Sequence, residues 1–124
     1  MVPKPKVLSR GSATFTATLT SPYYLPGSWL NPWPVSYRLT WKGLTSAVVS
    51  AEIFFGKPGR VGRSTNTVPC TSLFGGPCAS GRDDKSEMSD VNAKLVVKGA
   101  PIYVVLTTRK NPRGELRGQL KVDR

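Results

Sequence analysis

The chain has 124 residues, which is enough for one domain built around a single hydrophobic core. Eighteen Lys and Arg face seven Asp and Glu, and the resulting net charge of +11 attracts anionic partners. Such partners include nucleic acid, acidic polysaccharide, anionic lipid and the acidic face of a protein, although the same charge also simply keeps a β-protein soluble. No stretch approaches the ~20 apolar residues of a transmembrane helix, and no charged start followed by an apolar run marks a signal peptide.

The first part of the chain predicts a basic tail and then a strand. Residues 1–10 begin with MVPKPK, which holds two prolines and two lysines, and we expect a flexible tail ahead of a single domain over residues 11–124. In residues 12–20, apolar side chains alternate with threonines, which is the pattern of a half-buried strand. The residues of its apolar face are Ala13, Phe15, Ala17 and Leu19.

Residues 21–34, SPYYLPGSWLNPWP, combine four prolines with four large aromatic side chains. Because proline cannot donate to the hydrogen-bond ladder of a sheet, we expect a long loop or an edge segment and not a central strand. One interpretation is an aromatic cluster that covers one end of the core; the other is a docking surface, since Tyr and Trp dominate binding hot spots. The aromatic residues are Tyr23, Tyr24, Trp29 and Trp33.

The next segments predict two strands and a basic loop. Residues 35–42 alternate most clearly, with an outer face that carries Arg38 and Lys42, and residues 47–55 form a second apolar strand. The glycine-rich residues 56–69 predict a basic surface loop; proline interrupts the glycines, so they do not form a phosphate-binding loop. The cations of this loop are Lys57, Arg60 and Arg63.

Two cysteines, Cys70 and Cys78, flank the segment TSLFGGP. Its glycines and proline turn the chain, which lets the two ends meet as a short disulfide-closed loop. Two free thiols are the alternative, and a zinc site has too few ligands because the chain has no histidine. A disulfide would place the chain in an oxidising compartment.

Residues 82–90 contain four of the seven acidic side chains. Their spacing does not match a calcium-binding loop, so we predict a solvated acidic turn. Ser89 has the character of an N-cap for a short helix over residues 90–98, with Asp90 in its first turn and Gly99 just past its end. The residues expected on the buried face of this helix are Val91 and Leu95.

Residues 101–108, PIYVVLTT, predict an apolar strand, and residues 111–122 predict a turn that leads into the last strand. Asn111, Pro112 and Gly114 supply the chemistry of that turn. Strands with a turn every ~8–12 residues and one short helix favour an all-β fold, namely a small Greek-key sandwich or barrel.

The closing segment, PIYVVLTTRKNPRGELRGQL, resembles the end of the CHRD (chordin) domain. That family closes with a strand reading Tyr-Val-x-Val-His-Thr, followed by Asn-Pro-x-Gly-Glu-Ile-Arg-Gly-Gln-Leu. Upstream, SYRLTWKGLTSAVVSAEIFFGKPGRVG and GSATFT are similar to earlier strands of the family, so the resemblance covers about residues 11–122. The matching positions of the closing motif are Tyr103, Val104, Asn111, Pro112, Gly114, Glu115, Arg117, Gly118 and Gln119.

The resemblance implies a fold like that of copper/zinc superoxide dismutase and a role in binding or scaffolding on secreted and extracytoplasmic proteins. Family members usually carry three histidines in these motifs, but here the places hold Glu52, Phe54 and Thr107. The missing imidazoles argue against a metal or redox role that rests on histidine ligands. Glu115 and Arg117 are expected to lock the closing turn, with Arg117 either pairing with Glu115 or holding a loop carbonyl.

Together these features predict a non-enzymatic domain without a cofactor or a specific small-molecule substrate, in a secreted, periplasmic or organelle-lumen location. The first hypothesis is an accessory subunit that docks on a larger protein assembly, including one associated with a membrane, through its aromatic and basic loops. The second is a protein that binds an acidic glycan, anionic lipid or nucleic acid through the basic face of Arg38 and Lys42 and through the basic C-terminal turn. The third hypothesis is a dismutase-type enzyme, but this chain has no histidine, which is the usual side chain for such chemistry.

Overall fold

The computed structural model describes residues 11–22, 31–71, 78 and 80–120, which form two antiparallel sheets and one short helix. The all-β sandwich that the sequence predicts is therefore confirmed. No helix in this part of the chain is long and apolar enough to cross a membrane. The elements in chain order are β1 (Ser12–Leu19), β2 (Trp33–Lys42), β3 (Val48–Phe55), β4 (Ser64–Thr71), β5 (Arg82–Met88), α1 (Asp90–Val97), β6 (Ile102–Thr108) and β7 (Leu116–Leu120).

The strand connections follow a Greek key. One sheet has the order β1-β2-β5 and the other has the order β4-β3-β6-β7. β4 pairs with β3, and the chain then crosses to β5 in the other sheet. The hydroxyl of Ser86 on β5 donates to the carbonyl of Val68 on β4 at 3.4 Å. β6 then returns to pair with β3, so that a fourth strand lies beside the first of three successive ones.

The core fills the space between the sheets, and β6 is its central strand. Val104 and Leu106 of β6 point inward and pack with Tyr37 of β2 and Ala51 of β3. A second inner cluster joins the strands to α1 at one end of the sandwich. We call this end the helix end; it is defined by Trp33, Phe55, Met88, Ile102 and α1.

β2 shows the alternation that the sequence predicts, since Val35, Tyr37 and Leu39 are buried and the residues between them are exposed. Its start corrects the expectation for residues 21–34, because Trp33 and Pro34 belong to β2, the central strand of its sheet. A proline is tolerated here since it lies at the beginning of the strand, and its carbonyl still accepts a hydrogen bond from the Thr20 N–H at 2.9 Å.

The expected loop over residues 56–69 is wrong in its second half, which forms β4. Thr65 and Thr67 are fully buried, and the Thr65 hydroxyl donates to the Ile53 carbonyl at 2.9 Å. Threonine is β-branched, so a buried threonine whose hydroxyl has a partner packs in a strand much as valine does. Asn66 has a positive φ of 61° within this irregular pairing.

The expected acidic turn over residues 82–90 is also wrong, because residues 82–88 form β5. β5 pairs with β2 from Trp33↔Met88 to Leu39↔Arg82 and is an edge strand of its sheet. Charged residues on an edge strand discourage pairing with other chains, so the high charge of this segment is compatible with a strand.

The helix begins where the sequence predicts it. Ser89 is the N-cap and its hydroxyl accepts from the Asn92 N–H, while Gly99 follows the C-cap with a φ of 104°. The expected buried face is wrong, because Val91 and Leu95 are 70% and 36% exposed. The helix instead buries Asn92, Ala93 and Val96.

Candidate functional site

Cys70 and Cys78 form a disulfide with their Cα atoms 5.9 Å apart, as the sequence predicts. The Cys78 N–H also donates to the Val48 carbonyl at 3.1 Å. The disulfide therefore ties the end of β4 to the start of β3. Its presence is compatible with an extracytoplasmic location.

The closing motif is built around the carboxylate of Glu115, which is only 2% exposed. This carboxylate accepts from the Thr108 hydroxyl at 2.9 Å and from the Asn111 amide at 3.1 Å. It also accepts from the backbone N–H of Thr45 at 3.0 Å and from the Thr45 hydroxyl. The sequence does not reveal Thr45, because this partner lies in the β2–β3 connection.

The turn of the closing motif is compact. The Gly114 N–H donates to the Asn111 carbonyl at 3.0 Å, and the Glu115 N–H donates to the Leu106 carbonyl at 2.7 Å. Gly114 is buried, whereas Pro112 is exposed at the tip of the turn. Asn111 thus both shapes the turn and binds the carboxylate that holds it.

Arg117 connects the same motif to the basic loop, residues 56–63. Its guanidinium lies 3.6 Å from the centroid of the Tyr103 ring, and Nη2 donates to the Lys57 carbonyl at 3.0 Å. Of the two partners expected for Arg117, a loop carbonyl is thus observed. Gln119 adds a second anchor, because its amide donates to the Gly56 carbonyl at 2.9 Å.

The basic loop packs closely on the strands beneath it. The Gly62 N–H donates to the Tyr103 hydroxyl at 3.2 Å. A Cβ atom at Gly62 would lie 1.6 Å from the Phe55 carbonyl oxygen, so only glycine fits this position. The loop is therefore held at both of its ends and presents Lys57 and Arg60 to solvent.

Arg63, the third cation of this loop, has internal partners. Its guanidinium lies 4.6 Å from the centroid of the Phe55 ring, and Nη1 donates to the Asn92 side-chain oxygen at 3.2 Å. Asn92 in turn donates from its amide to the Thr65 carbonyl at 2.8 Å. These bonds explain why α1 buries a polar residue, and they join the basic loop to the helix.

Trp33 lies at the same end of the sandwich. Its indole N–H donates to Asp90 Oδ1 at 2.8 Å, while Asp90 Oδ2 lies 3.0 Å from the Lys94 ammonium. Of the four aromatic residues proposed for docking, only Trp33 lies within the described ranges. The others, Tyr23, Tyr24 and Trp29, lie outside them.

Arg38 and Lys42 lie on a different surface, the exposed outer face of β2. This face contains a shallow depression of about 370 Å³ that Thr16, Thr18, Ser36 and Arg38 border together with Asp84 and Lys85. The structure therefore separates Arg38 and Lys42 from the three cations of the basic loop. The basic loop lies at the helix end, whereas Arg38 and Lys42 lie on a face of mixed charge.

The positions that hold histidine in similar proteins lie on β3 and β6. Phe54 is 4% exposed and its ring stacks on that of Tyr103 with 5.4 Å between centroids. The Thr107 hydroxyl donates to the Ser50 carbonyl at 3.2 Å, while Glu52 is half-buried. In the described ranges no three Cys, Asp or Glu side chains lie close enough together to hold a metal ion.

Comparison with known proteins identifies the family of this chain. The model of the CHRD domain matches residues 1–120, nearly the whole chain. No curated protein and no solved structure gives a significant match. CHRD domains are extracellular-type protein-binding domains and are not known as enzymes. Because the match to the CHRD model covers nearly the whole chain, the chain belongs to the CHRD domain family.

Proposed function

We propose that this CHRD domain is a non-enzymatic accessory subunit that docks on a larger protein assembly outside the reducing cytoplasm, through its helix end. The observation that carries the proposal is the exposure of two apolar side chains on α1, the helix that Arg63 of the basic loop contacts through Asn92. Val91 and Leu95 are one helical turn apart on α1 and both are exposed. Aliphatic side chains on a surface contribute binding energy when a partner covers them, because they are then removed from water.

The basic loop next to α1 supports the same surface. Lys57 and Arg60 are exposed, whereas the backbone that carries them is fixed by Arg117, Gln119 and Tyr103. A preformed loop loses less conformational entropy on binding than a free one does. The two cations would orient an acidic partner, and the apolar side chains would supply contact area.

The aromatic residues complete the proposed surface. Trp33 is held by Asp90 at the start of α1. β1 ends at Leu19 and β2 begins at Trp33, and both residues pack in the inner cluster at the helix end. Tyr23, Tyr24 and Trp29 belong to the connection between these strands, and we propose that they contribute to the same contact.

Binding of a polyanion is the second candidate, and the net charge of +11 favours it. Its proposed surface is the outer face of β2 with Arg38 and Lys42, together with the basic C-terminal turn. Asp84 borders the depression on that face together with Arg38, and a carboxylate there would repel an anionic polymer. We therefore place this candidate behind protein docking.

The test is affinity capture with the whole domain, followed by mass spectrometry and by a titration of the identified partner. Raising the salt from about 50 to about 200 mM should weaken protein docking by less than about tenfold, because salt screens buried apolar contacts little. The affinity for a polyanion that contacts six or more cations would instead fall about a thousandfold or more. A loss of that size would contradict docking through the helix end.

A matched pair of variants locates the surface. Replacing Val91 and Leu95 with serine should weaken capture of the partner by at least about tenfold. The control is Val68→Ser, because Val68 is as exposed as Leu95, at 37% against 36%, but lies on β4. Equal capture by the two variants would show that the partner does not contact α1.

A further inference from the structure

β1 is an edge strand, and the N–H and C=O groups on the side away from β2 point out of its sheet. In the described part of the chain it pairs with β2 alone. The Thr20 N–H donates to the Pro34 carbonyl, so the main-chain groups of Thr20 point toward β2. Because successive residues of a strand point these groups to opposite sides, the odd-numbered residues of β1 point them toward the free edge. These residues are Ala13, Phe15, Ala17 and Leu19.

The sequence of β1 lacks the features that protect edge strands. Its eight residues, SATFTATL, include no charge and no proline. Each of the other edge strands contains one or the other: β4 has Pro69, β5 has Lys85 and β7 has Arg117. A long, uncharged edge is a template for pairing with another strand.

The inner side of β1 borders open space. Ala13 and Ala17 are exposed even though their alternation aims them at the core, and Phe15 and Leu19 are only half-buried. On β7, which is the edge strand of the other sheet, Gly118 lies between the partly buried Leu116 and Leu120. A Cβ atom at Gly118 would meet no atom within 4 Å. Phe15 of β1 and Leu120 of β7 pack against the same inner clusters, so we infer that the two edges face each other across the open side of the sandwich. We call this region the seam, and it has room for additional side chains.

We propose that the free edge of β1 binds an extended segment of a partner protein as an added antiparallel strand, in which apolar and acidic side chains alternate. The inward side chains of this strand would fill the seam beside Ala13, Ala17 and Gly118. Its outward side chains would lie next to the exposed threonines of β1, with Arg38 and Lys42 on the neighbouring strand. The proposal does not rest on docking through the helix end.

The net charge of the protein favours an acidic partner strand at this edge over β1 of a second copy of the chain. Each copy carries a net charge of +11, so two copies joined at this edge would repel each other. An acidic strand instead combines main-chain hydrogen bonds, which supply affinity, with alternate side chains, which supply specificity.

The test uses the whole domain and a blocked peptide of alternating valine and glutamate with the eight-residue length of β1. The valines would face the seam, so their N–H groups would bond to β1. Methylating the valine nitrogens should therefore weaken binding by at least about tenfold, and methylating the glutamate nitrogens should leave it nearly unchanged. If the peptide does not bind, or if both methylated peptides bind equally, the proposal is wrong.

Hydrogen exchange provides an independent readout in the unmodified protein. The amides of Ala13, Phe15, Ala17 and Leu19 should exchange rapidly in the free domain and slowly with the peptide bound. Protection of these amides in the free domain would mean that the edge is already covered, by another part of the chain or by a second copy, and would overturn the proposal. Gly118→Val should fill the seam and reduce peptide binding, while Thr40→Val on the outer face should not.

Discussion

Glu115 accepts hydrogen bonds from the backbone N–H and from the hydroxyl of Thr45, a residue 70 positions earlier in the chain. A buried carboxylate is costly unless it is well bonded, and here Thr108 and Asn111 supply further donors. The carboxylate therefore joins the β2–β3 connection to the end of β6 and to the turn before β7. This cross-link explains why the closing motif of the chain contains a glutamate at this position.

Replacing Glu115 with glutamine should lower the free energy of unfolding by about 2–4 kcal/mol, because the amide leaves at least one buried donor without an acceptor. Denaturant unfolding measures this change. The matched control is Glu87→Gln, an exposed carboxylate on β5, which should change stability by less than about 0.5 kcal/mol. Similar losses in both variants would contradict the structural role of Glu115.

Replacing Arg117 with lysine should loosen the basic loop, because a lysine cannot lie flat on the Tyr103 ring while its ammonium reaches the Lys57 carbonyl. We expect faster hydrogen exchange at Gly62 and a loss of about 1–2 kcal/mol of stability. Arg113→Lys, an exposed change in the closing turn, serves as the control. Unchanged exchange over residues 56–63 would show that Arg117 does not anchor this loop.

Replacing both Cys70 and Cys78 with serine should lower the free energy of unfolding by about 2–3 kcal/mol, since the disulfide restricts the unfolded chain. Thiol labelling of the native wild-type protein should give no reaction. A reducing agent should destabilise the wild-type domain by a similar amount and leave the double variant unaffected. Equal stability of the oxidised and reduced wild-type protein would contradict this expectation.

Replacing Asp90 with alanine should release the Trp33 indole, because Asp90 Oδ1 is its hydrogen-bond acceptor. The Trp33 indole N–H resonance should move in the NMR spectrum, and stability should fall by about 1–2 kcal/mol. Lys94→Ala removes the ion pair with Asp90 but leaves the bond between Asp90 and the indole, so it should cost no more than about 0.5 kcal/mol and leave the indole resonance in place. If both variants shift the resonance alike, Asp90 does not position Trp33 by this bond.

The elements that the sequence predicts correctly are those whose pattern depends on the local chain. β2 alternates apolar and polar residues from Val35 to Lys42, and α1 has a serine N-cap and a glycine after its last turn. The short segment between Cys70 and Cys78 likewise indicates a disulfide, because it closes a small loop within the local chain. Periodicity, capping and short loop closure need no knowledge of distant partners.

The elements that the sequence does not predict depend on pairing between distant residues. β4 buries Thr65, whose hydroxyl donates to the backbone carbonyl of Ile53 on the neighbouring strand. β5 is a strand because it pairs with β2 and not because of its own composition. On α1, Asn92 replaces the expected apolar residues in the interior because Arg63 and Thr65 supply its hydrogen bonds. Val91 and Leu95 are exposed instead, and we could propose them for docking only from the structure.

The most direct measurement compares two double charge reversals in a binding titration with the captured partner. One variant combines Lys57→Glu with Arg60→Glu at the helix end, and the other combines Arg38→Glu with Lys42→Glu on the outer face of β2. Both change the net charge equally, so a general electrostatic effect weakens both alike. Docking through the helix end is expected to weaken binding at least about tenfold in the first variant and little in the second. Equal losses, or a greater loss in the second, would contradict it.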